Sequence, residues 1–239
     1  MQRFAVFDID GTLIRWQLYH AIADTLVRLG HGDANNFQTV KDARMNWKNR
    51  MHAESFKEYE HRLVKAVDQM LLHLSIEQFN EAANAVFEEY KDQVYTYTRG
   101  LLRELKNAGY LLFAISGSQE EIVEKIAKYH GFDDFVGSTY IKKGKSFTGE
   151  KILRAIDKHL VLAELIKKHG VTNKNSVAVG DSAGDISMLE SVEQPIAFNP
   201  ERKLFDHAVK QGWKVVVERK NMVFELESKD GTYVLAKTN

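Results

Sequence analysis

Acidic and hydroxyl side chains that could do chemistry together fall in three short segments of the chain. The segments are Asp8-Ile9-Asp10-Gly11-Thr12, Ser116-Gly117-Ser118 and Gly180-Asp181-Ser182-Ala183-Gly184-Asp185. Carboxylates that cluster repel one another unless a cation lies among them, and such oxygen ligands select Mg²⁺ or a similar hard ion. A serine hydroxyl and the N–H groups at a helix start favour an anion instead. If the three segments meet in space, they form a site for a cation and a phosphate.

The positions of these segments within the predicted secondary structure are more informative than the segments alone, because Asp-x-Asp and Gly-Asp-Ser are also common in solvated turns. Short apolar runs alternate with stretches of helical periodicity. This alternation predicts an α/β fold with a doubly wound, mostly parallel sheet, covered by helices on both faces. Ligands bind beyond the carboxyl ends of such strands, where all three segments lie. The predicted strands are 4–7, 110–115, 176–179, 195–198 and 214–217.

A long segment without glycine or proline follows the first predicted strand. Residues 33–99 contain neither residue type, and their apolar side chains recur at spacings of three and four, which predicts helices throughout. Ser75 followed by Gln78 predicts a capping box at the start of the last long helix. Because this segment interrupts the alternation of strands and helices, we interpret it as an all-helical cap domain inserted at 15–95.

The rest of the chain, 1–14 and 96–239, is predicted to form the α/β core. Two hairpins are expected within it. A small one is centred on Gly144, near 139–148, and a C-terminal one lies at 222–236 with its turn at Asp230-Gly231.

Bulk composition excludes several classes of function. Thirty-three basic residues balance thirty-three acidic ones, so no overall charge favours nucleic acid or an anionic membrane. The absence of cysteine excludes disulfides, thiolate catalysis and cysteine-ligated metals. No window approaches the ~20 apolar residues of a membrane helix, and the N-terminus lacks the pattern of a signal peptide. We therefore expect a cytoplasmic protein that binds neither nucleic acid nor membrane; its oligomeric state is left open.

Together, the three segments resemble the signature motifs of the haloacid dehalogenase (HAD) superfamily. Phe7-Asp8-Ile9-Asp10-Gly11-Thr12-Leu13 is similar to the first motif, Ser116 after a strand to the second, and Gly180 to Asp185 to the fourth. The third motif is a single lysine. Lys158 lies where the phosphoserine-phosphatase-like branch, subfamily IB, carries it, and Lys151 is the alternative. The inserted helices are similar to the cap of that branch, and the resemblance, over about residues 4–217, implies a HAD-like Rossmannoid core.

The resemblance implies a role for each acidic residue. Asp8 would be the nucleophile that becomes an aspartyl phosphate, and Asp10 would be the general acid and then the general base. Mg²⁺ would be held by Asp8, by the backbone carbonyl of Asp10 and by Asp181. Asp185 would act on the metal through a bound water or by orienting Lys158.

The resemblance also implies which groups would contact a phosphorylated substrate. Donors around the first two motifs would neutralise the oxygens of the transferring phosphoryl group: Ser116, Lys158 and backbone N–H groups near Gly11, Thr12 and Gly117. Residues at the predicted domain junction are candidates for binding the rest of the substrate: Arg15, Trp16 and Gln17.

Two residues depart from the pattern of the phosphoserine-phosphatase-like branch. Gln17 stands where those enzymes carry a glutamate that recognises the amine of the substrate, and Gly184 replaces an asparagine in the fourth motif. These departures argue against phosphoserine as the substrate of this chain.

The function expected from these residues is Mg²⁺-dependent hydrolysis of a small phosphorylated metabolite. Phosphoserine hydrolysis is the main alternative, and phosphomutase activity stays open because it uses the same residues. A receiver-like signalling domain would also be phosphorylated on an aspartate, but the helical insertion and Asp10 argue against it. A binding-only scaffold is disfavoured because every expected catalytic residue is present.

Overall fold

The computed structural model describes residues 2–31, 37–229 and 232–238. The start of the predicted helical segment, at Asp33, and the predicted turn at Asp230-Gly231 lie outside these residues. In chain order, the helices and strands are β1 (Arg3–Phe7), α1 (Leu18–Arg28), α2 (Gln38–Lys48), α3 (Ser55–Leu71), α4 (Ile76–Tyr90), α5 (Thr96–Asn107), β2 (Leu111–Gln119), α6 (Glu120–His130), β3 (Asp134–Lys143), β4 (Ser146–Ile152), α7 (Lys158–His169), β5 (Thr172–Gly180), α8 (Ile186–Leu189), β6 (Gln194–Phe198), α9 (Arg202–Gln211), β7 (Lys214–Arg219), β8 (Met222–Lys229) and β9 (Thr232–Thr238).

The chain forms two compact units. The first consists of Met1–Gln17, Glu89–Ser138 and Leu153–Asn239, and the second of Leu18–Glu88 and Thr139–Ile152.

A mostly parallel sheet organises the first unit. Its strand order is β3-β2-β1-β5-β6-β7-β8-β9. Every neighbouring pair from β3 to β7 is parallel, and the last two pairs are antiparallel. This confirms the predicted α/β fold class. Along the chain, β2 and then β3 are added on one side of β1, and β5 pairs with the other side of β1. The carboxyl ends of β1 and β5 therefore form the switch point at which such sheets bind ligands.

Buried apolar residues explain why β1 is central and why α7 is fixed beside it. All residues of β1 from Phe4 to Phe7 are fully buried, as expected for a strand covered on both faces. The rings of Phe4 and Phe113 stack with their centroids 5.7 Å apart. The buried face of α7, which includes Leu162 and Leu165, belongs to the same core cluster. This packing fixes the start of α7, at Lys158.

The second unit contains α1 to α3, most of α4, and a hairpin made of the end of β3 and of β4. The predicted capping box is confirmed at the start of α4. The Ser75 N–H donates to Oε1 of Gln78 at 2.9 Å, and the Gln78 N–H donates to Oγ of Ser75 at 3.1 Å.

The hairpin near Gly144 differs from the prediction, which assigned it to the core and described the cap as all-helical. The hairpin joins the second unit because it contacts α3, through the ion pair of Lys151 with Asp68, and α4. The Ile76 N–H donates to the Lys145 carbonyl at 2.9 Å, and the rings of Phe79 and Phe147 meet edge to face with centroids 5.3 Å apart. Such contacts between distant segments leave no trace in local sequence patterns.

The limits of the insertion also differ from the predicted 15–95, since the second unit takes Leu18–Glu88 from this region. The residues on either side of the insertion pair with each other in the first unit. The Arg15 N–H donates to the Gln93 carbonyl at 2.8 Å, and the Tyr95 N–H donates to the Leu13 carbonyl at 3.0 Å. These bonds close the loop after β1 and so help to shape the switch point.

Two further strands complete the first unit. The C-terminal hairpin predicted at 222–236 corresponds to β8 and β9, and β8 also extends the sheet by pairing with β7.

The sequence patterns missed the first half of β3, where polar residues and Gly137 interrupt the apolar run. At Gly137 a Cβ would lie 2.6 Å from the Cα of Glu120, so only glycine lets the start of α6 approach β3.

Within the described ranges, no helix has the length and apolar character needed to cross a membrane.

Candidate active site

The site forms at the carboxyl ends of β1, β2 and β5, within the first unit. Asp8 directly follows β1, and its N–H donates to the Val179 carbonyl of β5 at 3.0 Å. The chain then turns at Gly11, whose φ of +82° favours glycine. A Cβ at this position would lie 2.3 Å from Oδ2 of Asp181. Glycine therefore allows the first and fourth motifs to meet.

Lys158 is the central cation of the site. It is buried, and its Nζ donates to Oδ1 of Asp8 at 2.6 Å, to Oδ1 of Asp185 at 2.6 Å and to the Ile115 carbonyl at 3.0 Å. These three bonds use all three protons of the ammonium group. Lys151, the alternative lysine of the third motif, forms an ion pair with Asp68 inside the second unit.

Asp185 is fully buried, and both of its oxygens accept hydrogen bonds. Oδ1 accepts from Lys158, while Oδ2 accepts from the N–H and the hydroxyl of Ser182, both at 2.9 Å, and from the Asp181 N–H at 3.2 Å. At Gly180 a Cβ would lie 2.5 Å from the Cβ of Asp185. Asp185 therefore makes the direct contact with Lys158 that one of its two predicted roles requires.

Asp10 lies in a different hydrogen-bonding environment from Asp8. The Ser116 hydroxyl donates to Oδ2 of Asp10 at 2.6 Å, and the Ser118 hydroxyl donates to Oδ1 at 3.1 Å. The Ser118 N–H in turn donates to Oγ of Ser116 at 2.9 Å. The last residues of β2 therefore hold the second carboxylate of the first motif.

Ser118 lies in one of the three segments singled out in the sequence, but no role in the site was predicted for it. Ser118 and Glu121 have the spacing of a capping box, but the N-cap of α6 is Gln119, and no side chain caps this helix. The hydroxyl of Ser118 is bonded to Asp10 instead. The sequence signal that could have identified Ser118 is its position two residues after Ser116, which places both side chains on the same edge of the sheet.

Three carboxylates of the site could hold a metal ion together. Asp8, Asp181 and Asp185 each offer an oxygen within 4.8 Å of the others, and the side chain of Asp10 does not belong to this group. The Thr12 hydroxyl donates to Oδ1 of Asp181 at 3.3 Å. Hard oxygen donors of this kind fit Mg²⁺.

The electrostatics of the cluster also favour a cation. Burial raises the pKa of Asp8 to about 7, with Lys158 opposing the shift and Asp185 and Asp10 adding to it. Burial, then the charges of Asp8 and Asp185, raise the pKa of Asp181 well above its ordinary value. Burial alone would lower the pKa of Lys158, but the two carboxylates that it contacts outweigh this effect and raise it. One buried ammonium therefore faces more negative charge than it can neutralise.

The predicted phosphate-binding residues are only partly placed as expected. The Gly11 N–H donates to the carbonyls of Ile14 and Trp16, at 3.0 and 3.2 Å, so this N–H already has acceptors within the loop. Thr12 is buried, and its hydroxyl contacts Asp181. Gly117 is exposed at the end of β2, where its carbonyl accepts from the Ser138 hydroxyl at 2.7 Å.

The three predicted substrate-binding residues lie at the end of the first segment of this unit. Arg15 is exposed, with its guanidinium carbon 5.7 Å from the ring centroid of Tyr95. Trp16 and Gln17 are half-buried. A contact of these side chains with a substrate stays a prediction.

A model of the haloacid dehalogenase-like hydrolases matches residues 5–190, which include every residue of the cluster described above. The chain belongs to this family. As a HAD hydrolase it is an enzyme, and the recognition of its motifs from sequence is confirmed.

Individual relatives of this HAD hydrolase have phosphatase names. A phosphoserine phosphatase of Methanocaldococcus jannaschii is 28% identical over 82% of this chain and 85% of its own length. A histidinol-phosphatase of Neisseria meningitidis is 24% identical over 90% of this chain and 99% of its own length. A solved structure described as a phospho-aspartyl intermediate analogue of phosphoserine phosphatase has a TM-score of 0.62 and 25% identity. That comparison covers 92% of this chain and 94% of that one.

The charge imbalance of the cluster generates a prediction about stability. Because the pKa of Asp181 is raised in the folded HAD hydrolase, its ionised form destabilises the fold. This penalty is absent below the ordinary aspartate pKa of ~3.9 and grows as the pH rises. In metal-free protein, Asp181→Asn should therefore raise Tm at pH 8 and have little effect at pH 4. A gain of about 1 kcal/mol would raise Tm by roughly 2–4 °C in a chain of this size.

Thermal unfolding with and without Mg²⁺ tests a related expectation, that Asp181 is a ligand of the ion. Mg²⁺ should raise the Tm of the unmodified protein and have much less effect on Asp181→Asn. The exposed Asp206, which pairs with Arg202, provides a control substitution, Asp206→Asn, that should leave the Mg²⁺ response intact. If Mg²⁺ raised the Tm of Asp181→Asn as much as that of the unmodified protein, Asp181 would not be a Mg²⁺ ligand.

Proposed function

We propose that this HAD hydrolase is a Mg²⁺-dependent phosphomonoesterase that acts on a small phosphorylated metabolite through an aspartyl phosphate on Asp8. The observation that carries the proposal is that two neighbouring carboxylates have different hydrogen-bonding environments. Asp8 contacts a buried ammonium in the acidic cluster, whereas Asp10 is held apart by two serine hydroxyls. Different environments for neighbouring carboxylates suit a nucleophile and an acid–base group. The phosphatase names of the relatives support the same reaction class.

In the first half of the proposed reaction, a carboxylate oxygen of Asp8 forms a bond to phosphorus as the bond from phosphorus to the ester oxygen breaks. Asp10 gives its proton to that oxygen, so the product leaves as an alcohol. In the second half, water attacks the phosphorus of the aspartyl phosphate and gives a proton to Asp10. Asp8 leaves as a carboxylate, inorganic phosphate is released, and the enzyme returns to its starting state.

The charges around the phosphoryl group come from several sources. Asp8 and Asp181, with the backbone carbonyl of Asp10, would hold Mg²⁺, and Asp185 would contribute by orienting Lys158. The bound ion would supply positive charge to the phosphoryl oxygens. Lys158 and Ser116 would donate to the same oxygens, and each would give up an existing hydrogen bond to do so.

A second candidate function is phosphoserine hydrolysis itself, which the relative from Methanocaldococcus jannaschii favours through its name. Gln17 argues against it, because a neutral amide lacks the negative charge with which a glutamate forms an ion-paired hydrogen bond to an ammonium group. Such bonds are worth roughly 1.5–3 kcal/mol.

The nucleophile is tested by Asp8→Asn. An amide neither attacks phosphorus nor binds the metal well, so we expect essentially no turnover of 4-nitrophenyl phosphate while the far-ultraviolet circular dichroism stays that of the folded protein. Retention of more than about a tenth of the wild-type kcat would contradict the assignment. Asp10→Asn is the matched comparison. It should still form some phosphoenzyme from this activated ester but hydrolyse it slowly, since the general base is lost.

The metal requirement is tested by chelation and replacement. Exhaustive chelation should abolish hydrolysis, Mg²⁺ should restore it, and Ca²⁺ should restore it poorly. Ca²⁺ accepts longer bonds and more ligands, which would displace Asp8 from in-line attack. Activity that persists without any divalent ion would show that the acidic cluster has another purpose.

The role of Gln17 is tested with a panel of phosphorylated metabolites. Phosphoserine should have a poor kcat/KM relative to the best substrate, because losing one charge-assisted bond weakens binding by roughly ten- to a hundredfold. Gln17→Glu should improve phosphoserine relative to phosphates that lack an amine, and Gln17→Ala should not. Efficient and selective phosphoserine hydrolysis by the unmodified protein would establish the second candidate function instead.

A further inference from the structure

The hydroxyl of Ser116 has two possible acceptors in the proposed reaction and only one proton. In the structure this proton is donated to Oδ2 of Asp10 at 2.6 Å. The proposed function requires the same hydroxyl to donate to an oxygen of the transferring phosphoryl group. A serine hydroxyl carries a single proton, so Ser116 releases Asp10 when it binds the phosphoryl group.

Ser118 forms a second hydrogen bond to Asp10, and this bond does not depend on the proton of Ser116. Its hydroxyl donates to the other oxygen, Oδ1, at 3.1 Å, and its side chain is buried. Its N–H separately donates to Oγ of Ser116 at 2.9 Å. One residue therefore contacts both the acid–base carboxylate and the serine that must change partner.

We infer that Ser118 is a positioning residue, whose hydroxyl keeps Asp10 oriented toward the leaving oxygen while Ser116 binds the phosphoryl group. This inference rests on the proposed phosphatase function. A carboxylate held through one oxygen retains its direction, and the other oxygen becomes able to carry the proton that the leaving alcohol needs. The hydroxyl of Ser118 would thus act on proton transfer without touching the substrate.

This role has a consequence that a purely structural role would lack. A leaving group that is stable as an anion needs little help from a general acid, whereas a more basic leaving group depends on it. Loss of the Ser118 hydroxyl should therefore slow poor leaving groups selectively. Because general acid–base catalysis contributes roughly 10²–10⁴-fold, a misdirected Asp10 should cost about tenfold or more for a basic leaving group.

Ser118→Ala removes the hydroxyl and keeps the N–H bond to Ser116. The experiment compares kcat/KM, which reports phosphoenzyme formation, for phenyl phosphate and 4-nitrophenyl phosphate with saturating Mg²⁺. These esters differ little in size, but phenolate is the more basic leaving group. We expect Ser118→Ala to lower kcat/KM for phenyl phosphate about tenfold more than for 4-nitrophenyl phosphate. Ser118→Thr, which keeps a hydroxyl, should restore the wild-type ratio of the two values.

Ser138→Ala is the matched control. Ser138 is equally buried and donates to the Gly117 carbonyl at 2.7 Å, so its loss perturbs the same edge of the sheet without removing a bond to Asp10. Its ratio for the two esters should stay at the wild-type value, whatever its absolute rates. If Ser118→Ala does not fold, Ser118→Cys replaces the hydroxyl by a similarly sized but weak donor and should change the ratio in the same direction.

The outcomes separate this inference from the proposed function. An equal loss for both esters, or no loss, in a folded Ser118 variant overturns the positioning role and leaves the phosphatase proposal standing. Failure of the unmodified protein to hydrolyse either ester with Mg²⁺ overturns the proposed function, and the inference with it.

Discussion

Burial of the Lys158 ammonium group constrains the whole site. An ammonium group in the interior is stable only if acceptors surround it, and here they come from three separate segments: Asp8 after β1, Ile115 in β2 and Asp185 after β5. The lysine thus ties together the ends of three neighbouring strands. Asp181 adds a further carboxylate, so the cluster has more negative than positive charge. This excess of negative charge favours binding of a cation at the site.

Glycines allow the elements to come close enough for this arrangement. A Cβ at Gly11 would occupy the position of the Asp181 carboxylate, and one at Gly180 would overlap the side chain of Asp185. Either substitution would separate the acidic residues from one another. The glycines in the first and fourth motifs therefore serve the electrostatics of the site as well as the turns of the backbone.

The sequence could predict those parts of the site that depend on local pattern. Apolar runs located the ends of β1 and β5, so Asp8 and Asp181 could be assigned to one edge of the sheet. Lys158 was suggested only by the resemblance to the HAD motifs, with Lys151 as the alternative. The contact of Ser118 with Asp10 could not be predicted, because a serine before a helix can cap it or contact a distant side chain, and tertiary packing decides between the two. The hairpin around Gly144 was misassigned for the same reason, since its partners in α4 lie far away in the chain.

Under the proposed function, substrate binding in such a site would be an exchange of hydrogen bonds. All three protons of Lys158 and the proton of Ser116 already have protein acceptors, so a phosphate gains these donors only as Ile115 or Asp10 loses them. Exchanged bonds contribute little net free energy, typically ~1 kcal/mol each. Under the proposed function, most of the affinity for the phosphate would then come from the cation bound by the acidic cluster. The exchange at Ser116 would also change the hydrogen bonding of Asp10. The proposed acid–base group would therefore lose this bond only when a phosphoryl group is present.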